Sequence, residues 1–166
     1  MRALVIGPIL CCLLAGPAVA DEHARVAQGY RGGRPFTLSV VEINGRDVEL
    51  STARAFQAMQ RAAAGKGITL RIRSGFRTQA RQTELYRAWR RGAGHPAARP
   101  GYSNHQAGRA LDLVLDPQAY AWLQAHARAH GFYRTVRSEP WHWEYLGASQ
   151  GGAPERLARP SKPRQR

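Results

Sequence analysis

Two short segments of the chain carry ionisable side chains among residues that would otherwise belong in a core. They are "SNHQAGRALDL", residues 103–113, and "SEPWHWEY", residues 138–145. On a strand that includes Asp112, side chains alternate between the two faces of the sheet, so Asp112 lies opposite Leu111 and Leu113. Because the leucines belong in the core, the sequence predicts a carboxylate that points to the other face.

The same two segments place histidines where they can approach that carboxylate. Gly108 allows a sharp turn before the strand, so the imidazole of His105 can fold back towards the carboxylate. In the second segment, Pro140 keeps Glu139 out of the helical region and starts a strand. On that strand His142 faces the side that Glu139 overhangs, and the neighbouring tryptophans take the opposite side.

This set of side chains predicts a metal site. His105, Asp112 and His142 provide two imidazoles and a carboxylate, which is the three-ligand arrangement of a catalytic zinc ion with an open position for water. Zinc lowers the pKa of bound water to roughly 7, and a carboxylate outside the ligand set, here Glu139, can accept the proton. The same ligand types also occur in non-heme iron oxygenases, which is the alternative for the metal.

The elements around these segments predict an α+β fold, with a mostly antiparallel sheet that carries the metal site and about three packed helices. Residues 36–50 alternate around Asn44-Gly45, which is a strong hairpin signal. Further strands are expected over residues 68–74, near residues 109–115 and in the second segment. Three helices are expected: one capped by Ser51 and ending at Ala64, one over about residues 78–90, and one from Asp116-Pro117 to about His130.

The ends of the chain predict export. Residues 1–20 read as a signal peptide cleaved near Ala20, so we expect a periplasmic or secreted protein. Both cysteines, Cys11 and Cys12, lie in that segment and leave none for a disulfide in the mature chain. Residues 21–35 are expected to form an extended lead-in, residues 36–150 the catalytic domain, and residues 151–166 a basic disordered tail.

The charge of the chain limits the classes of partner that it is expected to bind. The net charge is +14, and only two of the 25 basic residues are lysines. Such a balance suits a polyanion, and the basic tail is expected to contact anionic cell-envelope polymers. The basic residues form no stripe that alternates with aromatics, so specific nucleic-acid binding is not expected. We expect a monomer.

Three motifs in order resemble a known family. They are "SGFRT" at residues 74–78, "PGYSNHQAGRALDL" at residues 100–113 and "EPWHWEY" at residues 139–145. Together they resemble the zinc D-alanyl-D-alanine carboxypeptidases of the VanY type, in the group that also contains lysostaphin-like peptidases and the hedgehog signalling domain. The resemblance covers roughly residues 40–146.

The resemblance implies a role for each residue that matches a motif. It implies that His105, Asp112 and His142 bind Zn²⁺ and that Glu139 is the general base. It implies that Arg77 stabilises the oxyanion, and that two further residues contact the peptide near its terminus. Those two are Gln82 and Ser103.

The implied reaction is hydrolysis of the amide before the terminal D-alanine of a peptidoglycan stem peptide. A D,D-endopeptidase and an L,D-carboxypeptidase are alternatives, because the same residues would serve a differently shaped pocket. A non-catalytic zinc-containing binding module is a more distant alternative, since a fold does not fix a function. Retention of both Glu139 and Arg77 favours an enzyme.

Overall fold

The computed structural model of the chain describes residues 23–147. The predicted signal peptide and the basic tail lie outside the described residues. Two antiparallel sheets and three helices make up an α+β fold, as predicted, although the strands divide between two sheets. The first sheet has the order β1-β2-β3 and consists of Arg25–Arg31, Arg34–Ile43 and Arg46–Glu49. The second has the order β4-β5-β7-β6.

The second sheet contains β4 (Arg71–Ser74), β5 (Ala110–Val114), β6 (Phe132–Tyr133) and β7 (His142–Tyr145). The helices are α1 (Leu50–Ala64), α2 (Gln79–Arg90) and α3 (Pro117–His126), and a 3₁₀ helix (Ala127–His130) continues α3. No helix among the described residues has the length and the apolar character that crossing a membrane would require.

The predicted hairpin at Asn44-Gly45 is confirmed. Ile43 of β2 pairs with Arg46 of β3, which leaves a two-residue turn. Asn44 and Gly45 have φ angles of 53° and 72°. Positive φ at both turn positions is the geometry that matches the twist of two antiparallel strands, and asparagine followed by glycine adopts it readily.

Most of the segment predicted as an extended lead-in, residues 21–35, belongs to the first sheet. Strand β1 pairs along its whole length with β2, and Arg31 lies opposite Arg34. Gly32 and Gly33 form the turn between them with φ angles of 58° and 81°. A Gly-Gly pair between two strands is a hairpin signal of the same kind as Asn-Gly, and it places residues 25–31 inside the fold.

Helix α1 joins the first sheet to the core. Its N-cap is Glu49, two residues before the predicted Ser51 cap, because the Glu49 carboxylate accepts hydrogen bonds from the backbone N–H groups of Ser51 and Thr52. Along the helix, Phe56 and Met59 are fully buried. They pack in a single hydrophobic cluster with residues of both sheets and of α3.

Backbone hydrogen bonds tie the first sheet to the loops of the second. Phe76 N–H donates to the carbonyl of Asp47 at 2.7 Å, and Tyr30 N–H donates to the carbonyl of Gln106 at 3.0 Å. Gly75 lies so close to the hairpin that a Cβ there would be 2.2 Å from the Asp47 oxygen. Only glycine allows this approach, so the segment after β4 is held directly against the hairpin.

The predicted ends of α2 and α3 agree with the structure to within a few residues. Thr78 caps α2 through its hydroxyl, which accepts a hydrogen bond from the backbone N–H of Arg81. Asp116 caps α3, with Pro117 at the first helical position. Gly131, in the left-handed conformation, ends the 3₁₀ helix after His130.

Candidate metal centre and active site

The second sheet brings the three predicted ligands together. Asp112 of β5 lies directly opposite His142 of β7 in the strand register. His105 approaches from the loop before β5. One nitrogen or oxygen atom from each of the three lies within 4.8 Å of the others, and this is the one group of this kind within residues 23–147. All three side chains are buried.

The distances between these atoms fit one small metal ion. Asp112 Oδ1 lies 3.1 Å from His142 Nδ1 and 3.3 Å from His105 Nε2. A tetrahedral zinc ion with bonds of about 2.0–2.1 Å separates its ligand atoms by about 3.3 Å. The carboxylate oxygen and the two nitrogens are therefore already spaced as zinc ligands, and the mixed nitrogen and oxygen donors suit that ion.

A hydrogen bond orients each imidazole through its other nitrogen. His105 Nδ1 lies 2.8 Å from the Gly75 carbonyl oxygen, to which it must donate, so Nε2 presents its lone pair to the centre. His142 Nε2 lies 3.1 Å from Glu144 Oε1 and is assigned as the donor, which leaves Nδ1 for the centre. Such outer partners fix the tautomer and the ring orientation of metal-binding histidines.

Glu144 is a site residue that the sequence analysis missed. It is 2% exposed, and its Oε1 atom also accepts hydrogen bonds from Thr135 at 2.6 Å and Asn104 at 2.7 Å. Burial alone would raise the pKa of Glu144, but the bonds from His142, Thr135 and Asn104 lower it to about 2. The signal was present in the sequence, since Glu144 follows His142 by two positions and shares its face of the strand.

Arg77 contacts the centre through Asp112. Its Nη2 atom donates to Asp112 Oδ2 at 2.7 Å, and its Nε atom donates to the hydroxyl of Ser74 at 3.2 Å. Its Nη1 atom makes no hydrogen bond within the described part of the chain. The guanidinium thus holds the Asp112 carboxylate and has one nitrogen, Nη1, that is not used in these two bonds.

The charges around the centre favour an ionised carboxylate. Burial opposes ionisation of Asp112, but hydrogen bonds from His105 and His142, with the charge of Arg77, hold its pKa well below the usual range. Burial lowers the pKa of His105, so this imidazole is neutral and able to bind a metal. Burial also opposes the charged form of His142, yet its bonds to Asp112 and Glu144 raise its pKa to about 9.

Glu139 lies at the edge of the centre, as predicted from its position in the sequence. Its Oε2 atom is 3.9 Å from His142 Nδ1, and its side chain is 34% exposed. The backbone N–H of His142 donates to the carbonyl of Glu139 at 3.1 Å, which closes the turn through Pro140 and Trp141. A carboxylate so placed reaches both the centre and solvent, as a group that transfers protons must.

Gln82 and Ser103, the two predicted peptide contacts, are both buried. Gln82 Nε2 donates to the carbonyl of Ala98 at 2.8 Å, whereas its Oε1 atom is buried without a partner among the described residues. The hydroxyl of Ser103 accepts the backbone N–H of His105 at 3.3 Å. In the structure both side chains hold the loop that carries His105, and contact with the peptide stays a prediction.

The family comparison agrees with these motifs. The sequence model of the family described as VanY, D-alanyl-D-alanine carboxypeptidase, matches residues 45–148. A D-alanyl-D-alanine carboxypeptidase of Enterococcus faecalis is 28% identical over 134 residues, which are 63% of this chain and 50% of the relative. The chain thus spans about half the length of this curated relative.

Solved structures with a similar fold include a vancomycin-resistance D,D-pentapeptidase, VanY, in complex with Zn(II). It is 25% identical with a TM-score of 0.58, over 67% of this chain and 80% of that one. VanYB in complex with D-alanine-D-alanine is also 25% identical, with a TM-score of 0.60 over 68% and 80% of the two chains. The LD-carboxypeptidase LdcB is 28% identical, with a TM-score of 0.54 over 65% and 63%.

Proposed function

Because the chain belongs to the VanY D-alanyl-D-alanine carboxypeptidase family, we propose that it is a zinc-dependent D,D-carboxypeptidase of peptidoglycan stem peptides. The observation that carries this proposal is the buried group of His105, Asp112 and His142, with Glu139 and Arg77 at its edge. Zinc in one structural relative and D-alanine-D-alanine in another give it further support.

The ligand set fits zinc, which, when bound, would lower the pKa of a water molecule and polarise the scissile carbonyl. His105, Asp112 and His142 would hold it. The side chains around the centre have separate tasks. Glu144 and the Gly75 carbonyl fix the two imidazole rings, so that no reorientation is needed when the substrate arrives.

Glu139 moves the proton. Its carboxylate takes a proton from the attacking water and delivers it to the nitrogen of the departing D-alanine, which leaves as a neutral amine. Its position 3.9 Å from a ligand nitrogen and its partial exposure are consistent with that task. A general base of this kind contributes about 10²- to 10⁴-fold to a rate.

Arg77 stabilises the charge that develops on the carbonyl oxygen. Its Nε and Nη2 atoms are fixed by Ser74 and Asp112, so the free Nη1 atom is held in place before the reaction begins. Preorganised donors are most effective at an atom that gains charge in the transition state, and the loss of one costs about 10²- to 10³-fold.

The test is mass spectrometry of the zinc-loaded protein with a defined pentapeptide muropeptide, alongside the Glu139→Ala variant. We expect loss of one terminal alanine with the native protein and none with the variant. Loss of alanine from a tetrapeptide instead would identify an L,D-carboxypeptidase, a candidate favoured by the similarity to LdcB. Cleavage of cross-linked dimers alone would identify an endopeptidase, and zinc binding without any cleavage would identify a binding module.

Export would bring the protein to its proposed substrate. We propose that residues 1–20 direct the chain to the periplasm or the medium, where stem peptides are exposed. Cell fractionation of the native chain and of a form lacking residues 2–20 tests this, and equal distribution of both forms would contradict it. The basic tail is proposed to hold the protein near anionic envelope polymers. Binding unchanged by salt, or by truncation after Gly151, would contradict that role.

A further inference from the structure

Strand β4 contains a β-bulge beside the metal centre. Ile72 pairs with Leu113 and Ser74 pairs with Asp112, so Arg73 is an extra residue with no partner on β5. A bulge bends its strand and redirects one side chain, and bulges occur frequently next to active sites. The bulge therefore changes the direction of Arg73 at the position that immediately precedes the partner of a metal ligand.

The hairpin of the first sheet holds the bulge in place. Arg46, the residue after the Asn44-Gly45 turn, donates a hydrogen bond from Nε to the carbonyl of Arg73 at 2.9 Å. A bulge leaves backbone groups out of the ladder, and this bond satisfies one of them. The direction of the Arg73 side chain is thus built into the fold.

The Arg73 side chain contacts the segment that joins Glu139 to His142. Its guanidinium carbon lies 5.2 Å from the centre of the Trp141 ring, on the far side of β5. The backbone carbonyl of Trp141 accepts the backbone N–H of Leu113 at 2.9 Å, and Trp141 directly precedes His142 and follows Glu139 by two residues. The contact therefore places the Arg73 guanidinium beside the short segment that carries Glu139 and His142.

The charge of Arg73 is available to a ligand. The side chain is exposed and has no ion pair within residues 23–147. Burial is the main cause that lowers the pKa of Arg77, and the nearby charges of Arg81 and Arg73 lower it further. Arg73 and Arg81 thus add positive charge near Arg77. The charges of Asp112 and Glu139 raise the pKa of Arg77.

We propose that Arg73, held against Trp141, binds a carboxylate of the peptide substrate upstream of the scissile bond. This specificity role rests on the proposed peptidase function and adds acidic peptides as the preferred substrate class. A guanidinium stacked on an aromatic ring keeps its edge free for bidentate bonds to a carboxylate. The metal centre is buried and takes the terminal residue, whereas Arg73 is exposed and meets residues further from the cleaved bond.

Two acetylated pentapeptides that end in D-Ala-D-Ala test the proposal. In this first pair, one peptide carries glutamate and the other glutamine at the second position. A second pair differs in the same way at the third position. For one pair we expect the native protein to prefer the acidic peptide about three- to fivefold in kcat/KM, the range of an exposed ion pair. The Arg73→Gln variant should lose the preference, and Arg73→Lys should keep part of it because it retains the charge without the planar stack.

Arg34→Gln is the matched control, since it removes the same charge from an exposed position on β2 and should keep the preference. No preference of the native protein for either acidic peptide would overturn the proposal, and so would an unchanged preference in Arg73→Gln. An effect of Arg73→Gln on kcat/KM that disappears only when the terminal carboxylate of the peptide is amidated would also overturn the proposal. Arg73 would then bind the terminal carboxylate and not one upstream of the scissile bond.

A binding measurement separates this proposal from the proposed function. Calorimetric titration of the Glu139→Gln variant with the same peptides reports affinity without turnover. An acidic preference in binding that Arg73→Gln removes, with no cleavage by the native protein, would support the Arg73 site and reject the peptidase function. Cleavage without any preference for the acidic peptides would support the peptidase function and reject the Arg73 site.

Discussion

Replacement of Glu144 by alanine should weaken zinc binding, although Glu144 is not itself one of the proposed ligands. The Oε1 atom accepts bonds from His142, Thr135 and Asn104 at 3.1, 2.6 and 2.7 Å. Glu144→Ala leaves His142 without the acceptor that fixes its tautomer, and loss of such a partner weakens metal affinity about 10- to 100-fold. Asn104 and Thr135 also lose their acceptor, but Asn104 is half-buried and Thr135 is exposed, so water can replace it and the loss should cost only about 0.5–1.5 kcal/mol of stability each.

The matched variant is Glu144→Gln. Its amide oxygen can take the place of Oε1 and accept the same three hydrogen bonds, while the amide nitrogen replaces an oxygen that lies 3.9 Å from Arg109 Nε. If orientation of His142 is the main effect, Glu144→Gln should stay within about tenfold of the native zinc affinity. Glu42→Ala, which removes an exposed carboxylate on β2, should change nothing.

The assay is competition for zinc with a chromophoric chelator, together with thermal unfolding of the metal-free and zinc-loaded forms. A 30-fold weaker Kd lowers the stabilisation by zinc by about 2 kcal/mol at the same free zinc concentration. Native zinc affinity in Glu144→Ala would refute the orienting role. Equal losses in the alanine and glutamine variants would show that the charge of Glu144, and not its acceptor geometry, is what matters.

Three further outcomes are expected. Glu139→Gln should lower kcat about 10²- to 10⁴-fold in a peptide-cleavage assay and leave zinc Kd within a few-fold, because the side chain is at the edge of the ligand set; a comparable loss of zinc would contradict this. Arg77→Lys should lower kcat/KM about 10²-fold or more, since one ammonium cannot bond Ser74, Asp112 and a carbonyl oxygen together; near-native kcat/KM would argue against the oxyanion role. Burial opposes the charged form of His142, but its hydrogen bonds to Asp112 and Glu144 raise its pKa to about 9. The His142 imidazole is therefore protonated at pH 7 in the metal-free protein. Zinc binding must displace that proton, and Kd should fall about tenfold per pH unit from pH 7 towards pH 9; a Kd that does not change with pH would contradict it.

That His105, Asp112 and His142 lie together could be predicted because it depends on local patterns. Alternation along "RALDL" places Asp112 away from the leucines, and alternation along "HWEY" places His142 away from Trp143. The structure agrees with both predictions, since Asp112 and His142 are directly paired and therefore lie on the same face of the sheet. Turn chemistry predicted the Asn44-Gly45 hairpin for the same reason, because the necessary information lies in two adjacent residues.

Contacts between distant segments could not be predicted in this way. The Gly75 carbonyl orients His105 only because the hairpin lies against that glycine, and no periodicity relates residues 47, 75 and 105. The acceptor role of Glu144 depends on Thr135 and Asn104, which come from two separate loops. The extra residue in β4 is likewise visible only from the register of its partner strand.

The hydrogen bonds from Phe76 to Asp47 and from Tyr30 to Gln106 join the first sheet to the loops beside the proposed metal centre. The proposed metal ligands come from the second sheet and its loop, but one imidazole is fixed by a backbone carbonyl that rests on the first sheet. Local opening of the hairpins would release that carbonyl, so an ion bound at the centre opposes the opening. Amide hydrogen exchange in β1 and β2, measured with and without zinc, would show slower exchange far from the ligands themselves.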